Sequence, residues 1–178
     1  MSDHEQKLWG EAGVTASAPA GVTVQSSANG PQLALAFSGA RLELPAEAGP
    51  DGATQSFTVR APLGWKGHRR LAGFVQDITL GLQKSSGARV VVVADLAGVS
   101  RTFEFDYAAP GAAPVSEPLR VERVFSAQGV ETSGAGLIGL PRPVADYQAA
   151  FLVTVQRRGP QESALVSIDG LDVAACLV

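Results

Sequence analysis

The sequence predicts an all-β fold: a single-domain antiparallel β-sandwich of jelly-roll type, with a closed β-barrel as the alternative. Three observations predict it. Strand-like runs, punctuated by Gly, Pro and Ser clusters, recur about every ten residues. No helical period long enough for a crossover helix separates them, which implies antiparallel pairing. The two longest runs, Tyr147–Arg157 and Ala164–Val173, flank the breaker cluster Arg158-Gly159-Pro160-Gln161 and read as a long antiparallel pair closing the sheet.

Leu33, Leu35 and Phe37 alternate with Ala34 and Ala36, and Leu42 and Leu44 follow before Pro45. Phe57, Val59 and Ala61 alternate with Ser56, Thr58 and Arg60, the period of a half-buried strand. Phe74–Gln83 sets Ile78, Leu80 and Leu82 on one face, and the continuous run Val90-Val91-Val92-Val93 reads as a strand covered on both faces. Phe103, Phe105 and Tyr107 oppose Thr102, Glu104 and Asp106, and Leu119–Phe125 is the next strand. Core positions follow from mid-strand placement: Leu80, Val91, Phe103, Phe151, Val153 and Ile168. At the N-terminus, Ser2 and Glu5 match a capping box and Gly10 a stop, so a short helix or a frayed tail occupies residues 1–20, ahead of one β domain over 21–178. Within that segment, Leu8 and Trp9 are expected to dock on the domain. They would act as a lid over a barrel cavity or as a cover on a sandwich.

A chain of 178 residues can bury a full core without disulfides or metals and is too short for two ordinary domains. Cys176, the single cysteine, lies among Ala174, Ala175 and Leu177 and reads as a buried, inert thiol. The net charge of -3 argues against a nucleic-acid partner. No basic region followed by an apolar run opens the chain, so the expectation is a cytoplasmic protein without membrane partner, or a secreted one had a signal been removed.

Residues 134–139 spell Gly-x-Gly-x-x-Gly, yet Pro141 and Pro143 prevent the helix a dinucleotide needs, and the stretch reads as a loop. His4 and His68 lack metal-ligand spacing, so no metal, no cofactor and no catalytic residue is expected. Glu104 and Asp106 share a strand face about 7 Å apart, within the inverting-glycosidase range, but acidic groups opposite Phe103 and Phe105 read first as the wet face of a sheet.

The segment Leu165-Val166-Ser167-Ile168-Asp169-Gly170-Leu171-Asp172-Val173 resembles the closing strand of galactose-binding-like jelly rolls, the fold of many carbohydrate-binding modules. It departs from that pattern in carrying Leu171 one place later than the usual Val. Leu71–Leu80 is similar to the family's central strand, which follows a Leu-x-Gly turn, here Leu71-Ala72-Gly73. The resemblance implies a glycan ligand and puts Asp169 forward for a structural calcium; a bulge or turn beside Gly170 is the competing role.

The candidate ligand-binding residues are Trp65, Lys66, His68 and Arg69 in the glycine-flanked run Gly64–Arg70, with Tyr147 as a second platform. Aromatic faces stack on sugar rings while Lys and Arg donate hydrogen bonds; alternatively, Trp65 caps the core. Three functions are compatible with this set: a non-catalytic binding module for a glycan or other small molecule, a small barrel cyclase or isomerase with an apolar cavity, and an assembly subunit that forms homo-oligomers.

Overall fold

The computed structural model describes residues 8, 9, 13–64, 70–127 and 144–178, without the side chains of 144 and 145. The capping-box residues, the glycine triplet at 134–139, and Trp65, Lys66, His68 and Arg69 lie outside the described residues. Eleven strands run through these residues: β1 (Thr15–Ser17), β2 (Thr23–Asn29), β3 (Gln32–Ser38), β4 (Arg41–Leu44), β5 (Gly52–Gly64), β6 (Leu71–Lys84), β7 (Ala88–Leu96), β8 (Val99–Phe105), β9 (Val115–Ala127), β10 (Val144–Arg157) and β11 (Ala164–Leu177).

They form two antiparallel sheets packed face to face. The first has the order β1-β5-β10-β7-β8; the second has the order β2-β3-β11-β6-β9, with β4 pairing β11 beside β3. This is the predicted sandwich. The closed-barrel alternative is overturned, because two separate sheets enclose a core filled with side chains.

The expected pairing of the two long C-terminal strands is also overturned. β10 pairs with β5 and β7, whereas β11 pairs with β3, β4 and β6. Each carries one apolar face, Phe151-Val153-Val155 on β10 and Ile168-Leu171-Val173 on β11, and both faces are buried. Stacking two sheets buries both, whereas side-by-side pairing would leave the same area needing a separate cover. Aromatic rings fill the middle of the core: Phe57 stacks on Phe151 with centroids 4.9 Å apart, and Phe37 meets Phe57 and Phe151 edge-on at 5.3 and 6.0 Å.

Of the six expected core residues, Leu80, Phe151, Val153 and Ile168 are buried. Val91 is half-buried, since Val90 and Val92 take the inward positions of β7 and nothing in the described chain forms a second layer over Val91 and Val93. Phe103 packs against the core from an edge strand and is likewise half-buried. Cys176 is exposed and not buried, because Val173 and Ala175 point inward and the alternation turns the next side chain out.

Asp169 is the extra residue of a β-bulge: Ile168 faces Leu80 and Gly170 faces Thr79, with no partner for Asp169. The bulge resets which side chains of β11 point inward. Val166 and Ile168 point inward ahead of it, Leu171 and Val173 after it, and a strict two-residue period would have sent the second pair to solvent. Gly73 is required by a close approach: its φ is +152°, and a Cβ there would sit 2.1 Å from the Ser126 carbonyl oxygen on β9.

Arg157 ends β10 with its side chain 2 % exposed. Its guanidinium donates to the carbonyls of Pro45 (2.8 Å), Ala48 (3.2 Å) and Gly49 (2.9 Å), and more weakly to those of Pro160 and Glu162, and it pairs with Asp51 at 3.2 Å. It therefore ties the β4–β5 loop to the β10–β11 crossover. The planar fork is what reaches so many acceptors.

Two substitutions test this account. Phe151→Ala should cost about 3–5 kcal/mol in reversible denaturation, through lost burial and the cavity left between the sheets. Arg157→Lys keeps the charge but leaves buried carbonyls unpaired, and should cost about 2–4 kcal/mol; a loss under about 0.5 kcal/mol would show that the loops hold themselves.

Candidate ligand-binding trough on the first sheet

At the end of the sandwich where β5 stops and β6 begins, Leu8 and Trp9 close the core. The Leu8 carbonyl accepts from the Gly64 N–H at 2.8 Å, and Trp9 bridges Leu63 antiparallel. The Trp9 indole Nε1–H donates to the Pro31 carbonyl (3.0 Å) in the β2–β3 turn, so one residue, through its backbone and its side chain, links both sheets. The ring lies 6.2 Å from Phe74 and meets Tyr147 edge-on at 6.0 Å. Trp9 is 3 % exposed and packs against Phe74 and Tyr147, so it covers the core at this end.

Tyr147 belongs to this same cluster and is fully buried, so it offers no surface platform to a ligand. Alternation on β10 accounts for it: Tyr147, Ala149, Phe151, Val153 and Val155 all point inward. Its hydroxyl donates to Gln76 Oε1 at 2.6 Å, and Gln76 Nε2 donates to Ser126 Oγ at 3.2 Å. Burial pushes the phenol far above the ordinary tyrosine range and keeps it a neutral donor.

The outward side chains of the same strands form the candidate site. A trough of about 690 Å³ runs over the first sheet, lined by Thr15 and Ser17 of β1, Thr58 and Arg60 of β5, Gln148 and Ala150 of β10, and Asp95 and Gly98 at the β7–β8 turn. Register brings them together: Thr15 faces Arg60 and Arg60 faces Gln148, while Ser17, Thr58, Ala150 and Asp95 form the adjacent row. With its amide oxygen turned to Arg60, Gln148 accepts from Nη2 (2.8 Å) and Nε (3.1 Å), which fixes the guanidinium along the sheet. Asp95 Oδ1 accepts the Gly98 N–H at 3.1 Å, holding the carboxylate beside the turn. The floor is small, since Ala150 and Gly98 carry little or no side chain. The lining thus offers a cationic donor, an anionic acceptor, an amide and three hydroxyls on a surface a flat molecule can approach.

None of these residues was singled out by the sequence. They sit on separate strands, and only the pairing register makes them neighbours. The one cue was parity, since each falls on the polar side of an alternating run.

Other candidate groups are accounted for locally. Glu104 and Asp106 are bridged by Arg89, whose Nε lies 3.1 Å from Glu104 and 3.6 Å from Asp106, so they form the ion-paired wet face of β7 and β8. A second groove of about 330 Å³ at the opposite end of β6 includes Lys84. Its amino group donates to the Ala88 carbonyl at 3.0 Å, and burial pushes it below the ordinary lysine range against the pull of Asp106 and Glu162. Asp169 has Ser167 and the Pro118 carbonyl near it over Gly81, a donor set with one carboxylate. No three His, Cys, Asp or Glu side chains converge among the described residues, so this set does not fit calcium, which takes six to eight oxygens.

Two sheets, a filled interior and an open trough define an antiparallel β-sandwich. No protein-family model matches the chain, and no curated protein matches it. Among solved structures it is similar to TmCBM61 in complex with β-1,4-galactotriose, at 11% identity over 93% of this chain and 90% of that one, with a TM-score of 0.32. It is also similar to the family 11 carbohydrate-binding module from Clostridium thermocellum in complex with a β-1,3-1,4-mixed-linked tetrasaccharide (9% identity, 93% and 94% coverage, TM-score 0.21). A third is the enzymatically active domain of bacteriophage CBA120 tailspike protein 4, at 12% identity and a TM-score of 0.21. There the match covers 96% of this chain but 19% of the other.

Because Tyr147 is a core donor, Tyr147→Phe should lower stability by about 1–3 kcal/mol by leaving Gln76 without its partner, while ligand binding at saturating protein fold stays unchanged. Binding lost at full folding would return Tyr147 to the site.

Proposed function

We propose that this protein is a non-catalytic ligand-binding β-sandwich whose ligand is polyhydroxylated, a glycan chain or its end, held in the trough over β1, β5 and β10. The observation that carries the reading is the Arg60–Gln148 pair in the trough, with Thr15, Ser17 and Thr58 on its β1–β5 side and Asp95 on its β7 side. Sugar hydroxyls donate and accept at once. A wall with a donor-only guanidinium, an acceptor-only carboxylate and hydroxyls that do both can satisfy them in pairs. The floor of Ala150 and Gly98 lets a ring lie close to the sheet.

Trp65, Lys66, His68 and Arg69 extend the proposal. They follow Gly64, four residues beyond Arg60 on the same strand, and Trp65 would supply the aromatic face that the trough lining lacks.

Binding to a glycan array, followed by titration of the hits, tests both parts. Arg60→Ala should weaken binding about tenfold or more, equivalent to about 1.4 kcal/mol or more. Ala150→Trp should block the trough outright, with little change in thermal midpoint because both side chains point to solvent. Trp65→Ala should weaken binding with stability unchanged. If Trp65→Ala abolishes binding while Arg60→Ala and Ala150→Trp do not, the ligand sits on the β5–β6 connection alone. A wild type without hits sinks the glycan reading.

A further inference from the structure

The second sheet ends in β9, and β9 is unlike the other edges. Three of the five large apolar residues most exposed among the described residues are on it: Leu119 (70 %), Val121 (56 %) and Phe125 (65 %). All three lie on its outer face, with Arg123 between Val121 and Phe125. The inner face carries Arg120, bonded to Glu117 (3.1 Å) and Glu122 (2.5 Å) and seated 5.3 Å over the Phe105 ring. Among the described residues no strand pairs with the far edge of β9. Pro118 does not block that edge in the way a mid-strand proline would. It falls with Leu119 in a bulge opposite Gly81, where Leu80 faces Arg120 and Leu82 faces Glu117.

We propose that the protein forms a two-fold dimer by antiparallel pairing of β9 with β9 of a second copy, joining the two second sheets into one. The strand itself argues for this occupant. Past the bulge the alternation of β9 is regular, and the register that puts Val121 on the symmetry axis pairs the stretch 119–123 of each copy face for face. That register sets Arg120 of each copy opposite Glu122 of the other, twice. Shifting the axis by one residue either way puts Arg120 against Arg120 or Glu122 against Glu122. Cross-strand pairs of opposite charge stabilise and like pairs destabilise, so the strand is complementary to itself in one central register. The same register lays Leu119 beside the aliphatic stem of the other copy's Arg123 and continues the apolar stripe of Val121 across the axis. An isologous contact of this kind closes after two copies and uses up the exposed edge.

Sedimentation equilibrium of the full chain should give twice the 18.3 kDa chain mass. Glu122→Arg should shift it toward monomer by at least tenfold in dissociation constant, and the swap Arg120→Glu/Glu122→Arg should restore the dimer. Circular dichroism reports whether each variant folds. In a Cys176→Ser background, mild oxidation should cross-link Val121→Cys to itself but not Leu119→Cys, because only residue 121 meets its own copy within disulfide reach. A monomer at every concentration overturns the proposal. So does a dimer indifferent to Glu122→Arg, or one in which Leu119→Cys cross-links and Val121→Cys does not.

Discussion

The fold depends on how the chain passes from β10 to β11, which are consecutive in sequence and lie in opposite sheets. The crossover must span the separation of two packed layers, and Arg157 at its start anchors it to the β4–β5 loop with one buried guanidinium, which donates to the carbonyls of Pro45, Ala48 and Gly49 and more weakly to those of Pro160 and Glu162 in the crossover itself. An arginine buried among carbonyls gains through charge-assisted hydrogen bonds what it loses in solvation, provided that every donor is used. Its pairing with Asp51 adds an exposed partner that neutralises the charge at the rim. Since β10 is central in the first sheet and β11 in the second, fixing their connection fixes the relative position of both.

Alternation in the sequence reveals the strands more fully than their partners. Leu33-Leu35-Phe37 and Phe57-Val59-Ala61 declare which side is buried, and Leu80, Phe151, Val153 and Ile168 follow from mid-strand position. Pairing is a different kind of information. Two adjacent apolar strands look the same whether they lie side by side or face each other across a core, and nothing local to Arg158–Ser163 distinguishes a hairpin from a crossover. Cys176 and Val91 mark the other gap. Apolar neighbours suggested burial for both, while strand parity, traced through the Asp169 bulge and along β7, turns both outward.

The candidate trough was hidden for the same reason. Arg60, Asp95 and Gln148 are far apart in the chain, polar, and individually unremarkable on the wet sides of their strands. Their meeting is a property of register. Tyr147 shows the converse: an aromatic residue beside a loop invites a binding role, yet its hydroxyl satisfies Gln76 and its ring completes the packing around Trp9.

The placement of β10 and β11 also sets a timetable. Both central strands follow every other strand in chain order, so a nascent chain emerging from the ribosome can form the β2–β3 and β7–β8 hairpins early but cannot assemble either sheet. β5 must wait for β10 and β6 for β11, each made dozens of residues later, and such non-local closure is slow. During that interval the exposed stripe of β9 is available to other chains. Overproduction in vivo would therefore be limited by the rate of translation through the last two strands and by chaperone holding before they appear, more than by the stability of the finished domain.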